Sequence, residues 1–238
     1  MAHSRIPGRI ISLVMTVCMI LSMAAAFTMA SAASTPKPAE NRKVIFVGDS
    51  RTVGMYSAVY KNGKHYDSVC LKKGTELWSA QGGARYSWMK KTGVPDVEDR
   101  IGKGTSVVIL MGYNDIRNHS ATPTQYANYL NAKAKKWVRK GADVYFVSVN
   151  PRGRSSEAAK FAAGNASIAR WNKKVEDNLD FRVKYIDTYS TIIKNYNTVD
   201  NAHFTPATYR NIYRLVIARI NKDHPKLFKG SFSLPHIG

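Results

Sequence analysis

Three runs of apolar residues constrain the fold of this chain most strongly. They occupy residues 44–47, 106–111 and 144–149, and apolar side chains fill nearly every position in each run. A strand of this kind is buried on both faces, which is typical of a parallel sheet covered by helices. Because segments with helical signals separate the runs, the sequence predicts an α/β fold, a three-layer α/β/α sandwich.

Weaker strands are predicted at residues 68–71 and 183–186. Thr122 and Pro123 provide a cap and a first-turn proline, which predict a helix that extends to about residue 140, where Gly141 ends it. Further helices are predicted at residues 51–60, 95–101, 167–178 and 206–222.

The first 32 residues have the pattern of a signal peptide. Arg5 and Arg9 precede an apolar run at residues 10–29, and Ala30-Ser31-Ala32 is a small-residue cleavage site. An uncleaved anchor is the alternative, and it is the only membrane contact that the sequence suggests. We interpret residues 33–42 as a flexible leader, 43–223 as the folded domain and 224–238 as a C-terminal tail. The expected location is therefore outside the cell or at its surface.

The chain is strongly basic, with a formal net charge of +20. Removal of the signal peptide takes away Arg5 and Arg9 and leaves +18. Such a charge attracts anionic partners. The basic residues are dispersed and no nucleic-acid recognition motif is present, so we expect an anionic cell-wall polymer or acidic glycan rather than nucleic acid.

Cysteine and histidine usage indicates neither a disulfide nor a metal site. Cys18 leaves with the signal peptide, and Cys70 lies between Val69 and Leu71, so it is predicted to be a buried small hydrophobe. No histidine or cysteine cluster has metal-ligand spacing, and we expect no metal or other cofactor. Four histidines are expected to be solvated surface residues: His65, His119, His224 and His236.

Polar residues with reactive or hydrogen-bonding side chains follow the predicted strands. Gly48-Asp49-Ser50 ends the first strand, which would place the Ser50 hydroxyl at the sheet edge and its N–H at a helix N-terminus. Simple helix capping by Ser50 is the alternative. Gly112-Tyr113-Asn114-Asp115 follows residues 106–111, and the Asn114 amide could donate to an oxyanion or belong to a turn.

Two further segments complete this set. Gly82-Gly83 allows a bare N–H to approach a substrate, or forms an ordinary turn. Asp200-Asn201-Ala202-His203 precedes the last helix, and a three-residue spacing lets one loop place a carboxylate against an imidazole. The four segments together provide a nucleophile, a base, its orienting group and oxyanion donors.

In these four segments the sequence resembles the SGNH (GDSL-type) hydrolase family. That family carries Gly-Asp-Ser, a lone Gly, Gly-x-Asn-Asp and Asp-x-x-His, and all four are matched between about residues 43 and 209. The resemblance implies a flavodoxin-like fold and a shallow, open site. It also implies that Ser50, Asp200 and His203 are catalytic, and that Ser50, Gly83 and Asn114 form the oxyanion hole.

Two details depart from the family pattern or leave it open. Arg51 follows the serine where the family expects Leu, and it either meets an anionic substrate group in the cleft or faces solvent. Gly83 fits the position of the family's lone glycine better than Gly82 does, but Gly82 stays possible. Tyr113 is a further candidate for substrate binding. It belongs to a group of aromatic residues near the motifs that either stack on sugars or pack in the core: Trp78, Tyr86, Trp88, Tyr113 and Phe204.

The function expected from the resemblance is that of a secreted serine esterase acting on carboxylic esters. The O-acetyl groups of a carbohydrate or cell-wall polymer are the favoured substrate, and another small acyl ester is the second choice. An O-acyltransferase with the same three residues, or a non-catalytic cell-wall-binding protein, is the alternative.

Overall fold

The computed structural model describes residues 42–153 and 158–224. The predicted signal peptide, residues 33–41 of the leader and residues 225–238 of the tail lie outside these ranges. Among the described helices, none is both long enough and apolar enough to cross a membrane.

The described strands form one six-stranded sheet in the order β2-β3-β1-β4-β5-β6. All neighbours pair in parallel except β2, which runs antiparallel to β3. Without β2 the order is that of a flavodoxin-like sheet, as expected. The strands are β1 (Lys43–Gly48), β2 (Ser68–Lys73), β3 (Glu76–Gln81), β4 (Thr105–Leu110), β5 (Asp143–Val147) and β6 (Val183–Ile186).

Helices cover both faces of this sheet and confirm the three-layer prediction. One core cluster joins α1 and α8 to the sheet, and a second joins α3, α5 and α6 to its other face. A π-helical turn, Met89–Gly93, follows α2. The α-helices are α1 (Ser50–Tyr60), α2 (Tyr86–Trp88), α3 (Pro95–Glu98), α4 (Tyr113–Asn118), α5 (Pro123–Arg139), α6 (Ala158–Asn178), α7 (Tyr189–Ile192) and α8 (Pro206–Asp223).

Strand β3, the short helices α2, α4 and α7, and the start of helix α6 differ from the sequence prediction. Strand β3 is not predicted, because Glu76 and Ser79 interrupt its apolar pattern, yet both are buried. Helix α6 begins nine residues before the predicted start. Gly164 weakens the helical signal of this stretch, which is otherwise rich in alanine.

The prediction that Cys70 is buried is wrong. Cys70 is exposed, whereas the preceding Val69 is buried. Strand β2 is the edge strand of the sheet, and successive side chains on a strand point to opposite faces. Only the face that carries Val69 is covered, so the neighbouring cysteine faces solvent.

Arg42 and His224, assigned to the leader and the tail, belong to the folded domain. Arg42 is buried, donates to the Ser106 hydroxyl at 2.6 Å and pairs with Asp143. His224 lies 3.2 Å from the same carboxylate and is only partly exposed. The chain is therefore fixed to β4 and β5 just before β1 begins, and His224 is not the solvated residue that the sequence suggests.

A buried carboxylate, Glu76, joins strand β3 to helices α1 and α8. It accepts hydrogen bonds from the Tyr60 hydroxyl at 2.7 Å and the Trp78 indole at 3.0 Å, and a third from the Tyr213 hydroxyl. Burial raises the pKa of Glu76, and these donors partly oppose the rise. The three bonds explain how a polar residue is accommodated in β3.

We expect Glu76→Leu to lower the free energy of unfolding by about 3 kcal/mol, because the buried Trp78 and Tyr213 donors would lose their acceptor. Tyr60→Phe, which removes one donor from a half-buried ring, should cost about 1 kcal/mol. Urea unfolding followed by circular dichroism measures both. Equal stability of the Leu variant and the parent would contradict this account.

Candidate active site

The candidate site lies at the carboxyl edge of three adjacent parallel strands. Gly48 of β1 is in register with Ala80 of β3 and with Leu110 of β4. The segments that follow these strands and contain Ser50, Gly83 and Asn114 therefore begin at the same level of the sheet. The strand order reverses between β1 and β4, and ligands of open α/β sheets bind outside such a point.

The structure brings Ser50, His203 and Asp200 into one hydrogen-bonded chain. The Ser50 Oγ lies 3.0 Å from His203 Nε2, and His203 Nδ1 lies 2.8 Å from Asp200 Oδ2. The serine and the histidine are 153 residues apart in sequence. Both distances are within the range in which a nucleophile, a base and an orienting group act together.

Asp200 is held by its own loop and is open to water. Its Oδ1 accepts from the N–H groups of Ala202 at 2.6 Å and His203 at 2.7 Å. Burial would raise the pKa of Asp200, but hydrogen bonds from the His203 ring and these two N–H groups lower it below its usual value. The side chains of Asp200 and His203 are 54% and 39% exposed, so the pair lies in a solvent-open part of the site.

Capping of α1 is performed by Asp49 and not by Ser50. Asp49 Oδ1 accepts from the Arg51 N–H at 2.9 Å, and its carbonyl accepts from Thr52 N–H at 2.9 Å. The alternative that Ser50 is the N-cap is therefore wrong. Because the neighbouring aspartate caps the helix, the Ser50 hydroxyl is free to face His203.

Gly82 and Gly83, the two candidates for the family's lone glycine, have different backbone roles. Gly82 N–H donates to the Asp67 carbonyl at 2.7 Å, whereas Gly83 N–H donates to no group among the residues described. Gly83 has φ of +69°, a conformation that favours glycine, and it is exposed. The geometry favours Gly83 over Gly82 as the residue with an available donor.

Asn114 lies next to the Gly83 loop. Its Nδ2 donates to the Ala84 carbonyl at 3.0 Å, which fixes the orientation of the amide. A carboxamide carries two N–H donors, so one is left for a ligand. Asn114 is only half-buried, so its side chain is partly accessible to solvent.

Asp115, to which the sequence analysis assigned no role, fixes α4 in place. This fully buried carboxylate accepts from the Tyr126 hydroxyl at 2.6 Å, the Ser120 hydroxyl at 2.7 Å and the Tyr86 N–H at 3.0 Å. It links the start of α4 to α2 and α5. The sequence did contain a signal for this structural role, because Asp115 is the last residue of the Gly-x-Asn-Asp motif.

Arg51 has neither of the two roles considered for it. Its side chain is buried, and the residue is only 2% exposed. The guanidinium donates to the carbonyls of Asn150 at 2.6 Å, Pro151 at 3.0 Å and Ala202 at 2.9 Å. The hypothesis that it binds an anionic substrate is wrong, as is a solvent-facing side chain, because all three nitrogens already have backbone partners.

Aromatic rings enclose the same guanidinium. The Arg51 Cζ lies 3.7 Å from the ring centroid of Tyr113 and 4.8 Å from that of Phe204. The Tyr113 hydroxyl donates to the Asn201 carbonyl at 3.0 Å, and the residue is 8% exposed. Phe204 and Trp78 are core residues, so they are not available to stack on a sugar. Substrate binding by Tyr113 stays a prediction.

A buried carboxylate accompanies the buried guanidinium. Burial raises the pKa of Asp49 to about 6, although the nearby charge of Arg51 and the Arg51 N–H oppose the rise. Burial also lowers the pKa of Arg51, but a guanidinium starts so high that it stays protonated. The two opposite charges therefore compensate each other beside the candidate nucleophile.

Metal ligands are not grouped in the part of the chain that the structure describes. No cluster of three or more histidine, cysteine, aspartate or glutamate side chains there could hold an ion. The candidate site is built from hydroxyl, imidazole, carboxylate, amide and backbone N–H groups.

Solved structures share this fold. A lipase/acylhydrolase from Enterococcus faecalis aligns with a TM-score of 0.54 and 16% identity, over 76% of this chain and 96% of that one. A GDSL-like lipase from Bacteroides thetaiotaomicron gives 0.54 and 17%, over 84% and 97%. An acetylxylan esterase from Geobacillus stearothermophilus gives 0.52 and 14%, over 78% and 96%. No family model and no curated protein matches the sequence. The fold that the resemblance implied is confirmed.

We expect Arg51→Leu to lower the free energy of unfolding by about 3–5 kcal/mol, because it leaves three carbonyls without their donor and the buried Asp49 without a nearby opposite charge. Arg51→Lys should not restore the loss, since an ammonium cannot match the planar set of donors. Chemical denaturation of both variants measures the effect.

Arg85→Leu is the matched control for this experiment. Arg85 is exposed and adjoins the Gly83 loop, so its replacement should change stability by less than about 0.5 kcal/mol. If Arg51→Leu were as stable as this control, the buried guanidinium would not be the anchor described above.

Proposed function

We propose that this protein is a serine ester hydrolase with Ser50 as nucleophile, His203 as general base and Asp200 as the group that orients the imidazole. The single observation that carries the proposal is the chain from Ser50 Oγ through His203 to Asp200, with contacts of 3.0 Å and 2.8 Å. A serine at a helix N-terminus, aligned with an imidazole and a carboxylate, is the arrangement needed for nucleophilic catalysis.

In the first half of the reaction, Ser50 Oγ forms a bond to the ester carbonyl carbon while its proton moves to His203 Nε2. The tetrahedral intermediate then loses the alcohol, which takes that proton, and an acyl-serine remains. In the second half, a water molecule gives its proton to His203 and attacks the acyl carbon. The carboxylic acid leaves, and Ser50 regains its proton. Asp200 stabilises the imidazolium in both halves.

The oxyanion is assigned to three donors: the N–H groups of Ser50 and Gly83 and the free N–H of the Asn114 amide. Two features support this assignment. Gly83 N–H has no acceptor within the described residues, and Asn114 is already oriented by Ala84. Donors fixed before the reaction stabilise developing charge without reorganisation, which is why such groups contribute strongly to rate.

The substrate is proposed to be an O-acyl ester of a carbohydrate, with acetyl as the favoured acyl group. The open exposure of Asp200 and His203 suits an ester on a bulky polymer, because the polymer need not enter a closed pocket. The acetylxylan esterase that shares the fold supports a carbohydrate ester. The acylhydrolase and lipase neighbours support ester hydrolysis more generally.

Ser50→Ala should abolish hydrolysis of p-nitrophenyl acetate while leaving the circular dichroism spectrum and melting temperature unchanged. A fluorophosphonate probe should label Ser50 in the parent and nothing in the variant, as seen by peptide mass spectrometry. Ser68→Ala, at an exposed position on β2, is the matched control and should keep full activity. Labelling of any other serine would refute the assignment.

Asn114→Ala should lower kcat by roughly 10²–10³ with little change in KM, because the amide contact strengthens only in the transition state. Steady-state kinetics with p-nitrophenyl acetate separates the two constants. Asn128→Ala removes an exposed amide from α5 and should leave both unchanged. An effect confined to KM would mean that Asn114 binds the ground-state substrate instead.

A further inference from the structure

A cleft of about 660 Å³ opens beside the candidate active site. It lies between α4 with the loop after it on one side and α6 on the other. Its lining includes Tyr113, the chain neighbour of Asn114, and Asn201, the chain neighbour of Asp200. Its volume falls in the range of about 300–1,000 Å³ that is typical of small-molecule sites.

The lining of this cleft is cationic. Four permanently basic side chains contribute to it: Arg117 from α4, Arg152 from the loop after β5, and Arg170 and Lys174 from α6. Within residues 42–153 and 158–224, none of the four forms an ion pair with a carboxylate. Arg152 donates to the Lys160 carbonyl at 3.5 Å and Arg170 to the Ser167 hydroxyl at 3.2 Å, but neither acceptor carries a charge that would offset the guanidinium.

Asp115 is the one carboxylate in the lining, and it forms no ion pair with these cations. It is fully buried, and both of its oxygens accept hydrogen bonds from Tyr126, Ser120 and Tyr86. Four like charges around one concavity repel each other, and an anionic ligand relieves that repulsion. The arrangement is thus more specific than the general basicity of the chain.

The inner part of the cleft is less polar than its rim. Ile116, Ile168 and Trp171 line it, and the last two are buried. On α6 the residues Ile168, Trp171 and Lys174 recur at three-residue steps, so they share one face of that helix. An apolar floor with a cationic rim suits a sugar ring that carries an anionic substituent.

We propose that this cleft binds an anionic segment of the substrate, so that the ester cleaved at Ser50 belongs to a glycan bearing carboxylate or phosphate groups. The inference rests on the function proposed above and adds the charge of the alcohol part. Arg117, Arg170 and Lys174 hold the anionic groups of the segment, and the chain passes Tyr113 and Asn201 to reach Ser50. The cleft is thus the place where this basic protein would contact an anionic substrate.

The test compares three acetylated substrates: O-acetylated polygalacturonate, O-acetylated poly(glycerol phosphate) and neutral O-acetylated xylan. The parent should have a higher kcat/KM for one or both anionic polymers than for the xylan, and added salt should reduce that preference. Preference for the galacturonate indicates carboxylate recognition, and preference for the other polymer indicates phosphate recognition. No preference at low salt would overturn the proposal.

The triple variant Arg117→Gln, Arg170→Gln, Lys174→Gln should reduce the ratio of kcat/KM for the preferred anionic polymer to that for xylan by about tenfold, as expected for the loss of several exposed charge contacts. The control triple variant Lys135→Gln, Arg139→Gln, Lys140→Gln removes equal charge from the exposed face of α5 and its end. It should keep the parent ratio. Equal reductions in both variants would mean that only net charge matters, and would also overturn the proposal.

A binding measurement on the parent tests the proposal even if the triple variant does not fold. De-esterified polygalacturonate and de-esterified poly(glycerol phosphate) should each be tested as competitive inhibitors of the parent acting on p-nitrophenyl acetate at low salt. Absence of inhibition by both would contradict the cleft assignment. If p-nitrophenyl acetate is not hydrolysed at all and Ser50 takes no fluorophosphonate, the proposed function itself fails, and the two failures are thus separated.

Discussion

The buried guanidinium of Arg51 is the contact on which the geometry of the candidate site depends. It lies directly after Ser50, and it donates to the carbonyls of Asn150 and Pro151 in the loop after β5 and of Ala202 in the loop that carries His203. One side chain therefore ties the end of β1 to two loops that are distant in sequence. Since Ser50 and Arg51 share the first turn of α1, the distance from Ser50 to His203 is fixed by the same contact that fixes the loops.

This arrangement is costly in free energy and needs compensation. A buried charge is stable only where it is paired and hydrogen-bonded, and both conditions are met. Asp49 supplies the opposite charge, the three carbonyls satisfy the guanidinium, and Tyr113 packs against its face. Gly153 extends the same contact, because its N–H donates to the Asn201 carbonyl at 2.8 Å and a Cβ at this position would overlap the Asp200 carbonyl.

The sequence was sufficient for features that depend on local pattern, and insufficient for those that depend on distant contacts. Continuous apolar runs predicted the sheet, and motifs at strand ends predicted which residues would meet, because carboxyl ends of parallel strands share one edge. The burial of Arg51 could not be predicted, since its acceptors lie about a hundred residues or more away. Strand β3 was missed for a similar reason: Glu76 is tolerated there only because hydroxyls from α1 and α8 reach it. Cys70 was misjudged because an edge strand is covered on one face only.

The candidate site combines buried supporting residues with exposed candidate catalytic residues, and this difference bears on substrate specificity. Asp115, Asp49 and Arg51 are buried and hydrogen-bonded, whereas Asp200 and His203 remain substantially exposed. A site that does not enclose its substrate cannot select it by shape around the ester, so discrimination has to come from contacts farther along the substrate. The proposed source of these contacts is the cationic cleft. Its lining includes Tyr113, which precedes the proposed oxyanion donor Asn114 in α4, and Asn201, which lies in the loop that carries the proposed base His203. Under the proposed function, charge contacts in the cleft act on binding of the substrate, while the buried network holds Ser50 and His203 in place whichever substrate is bound.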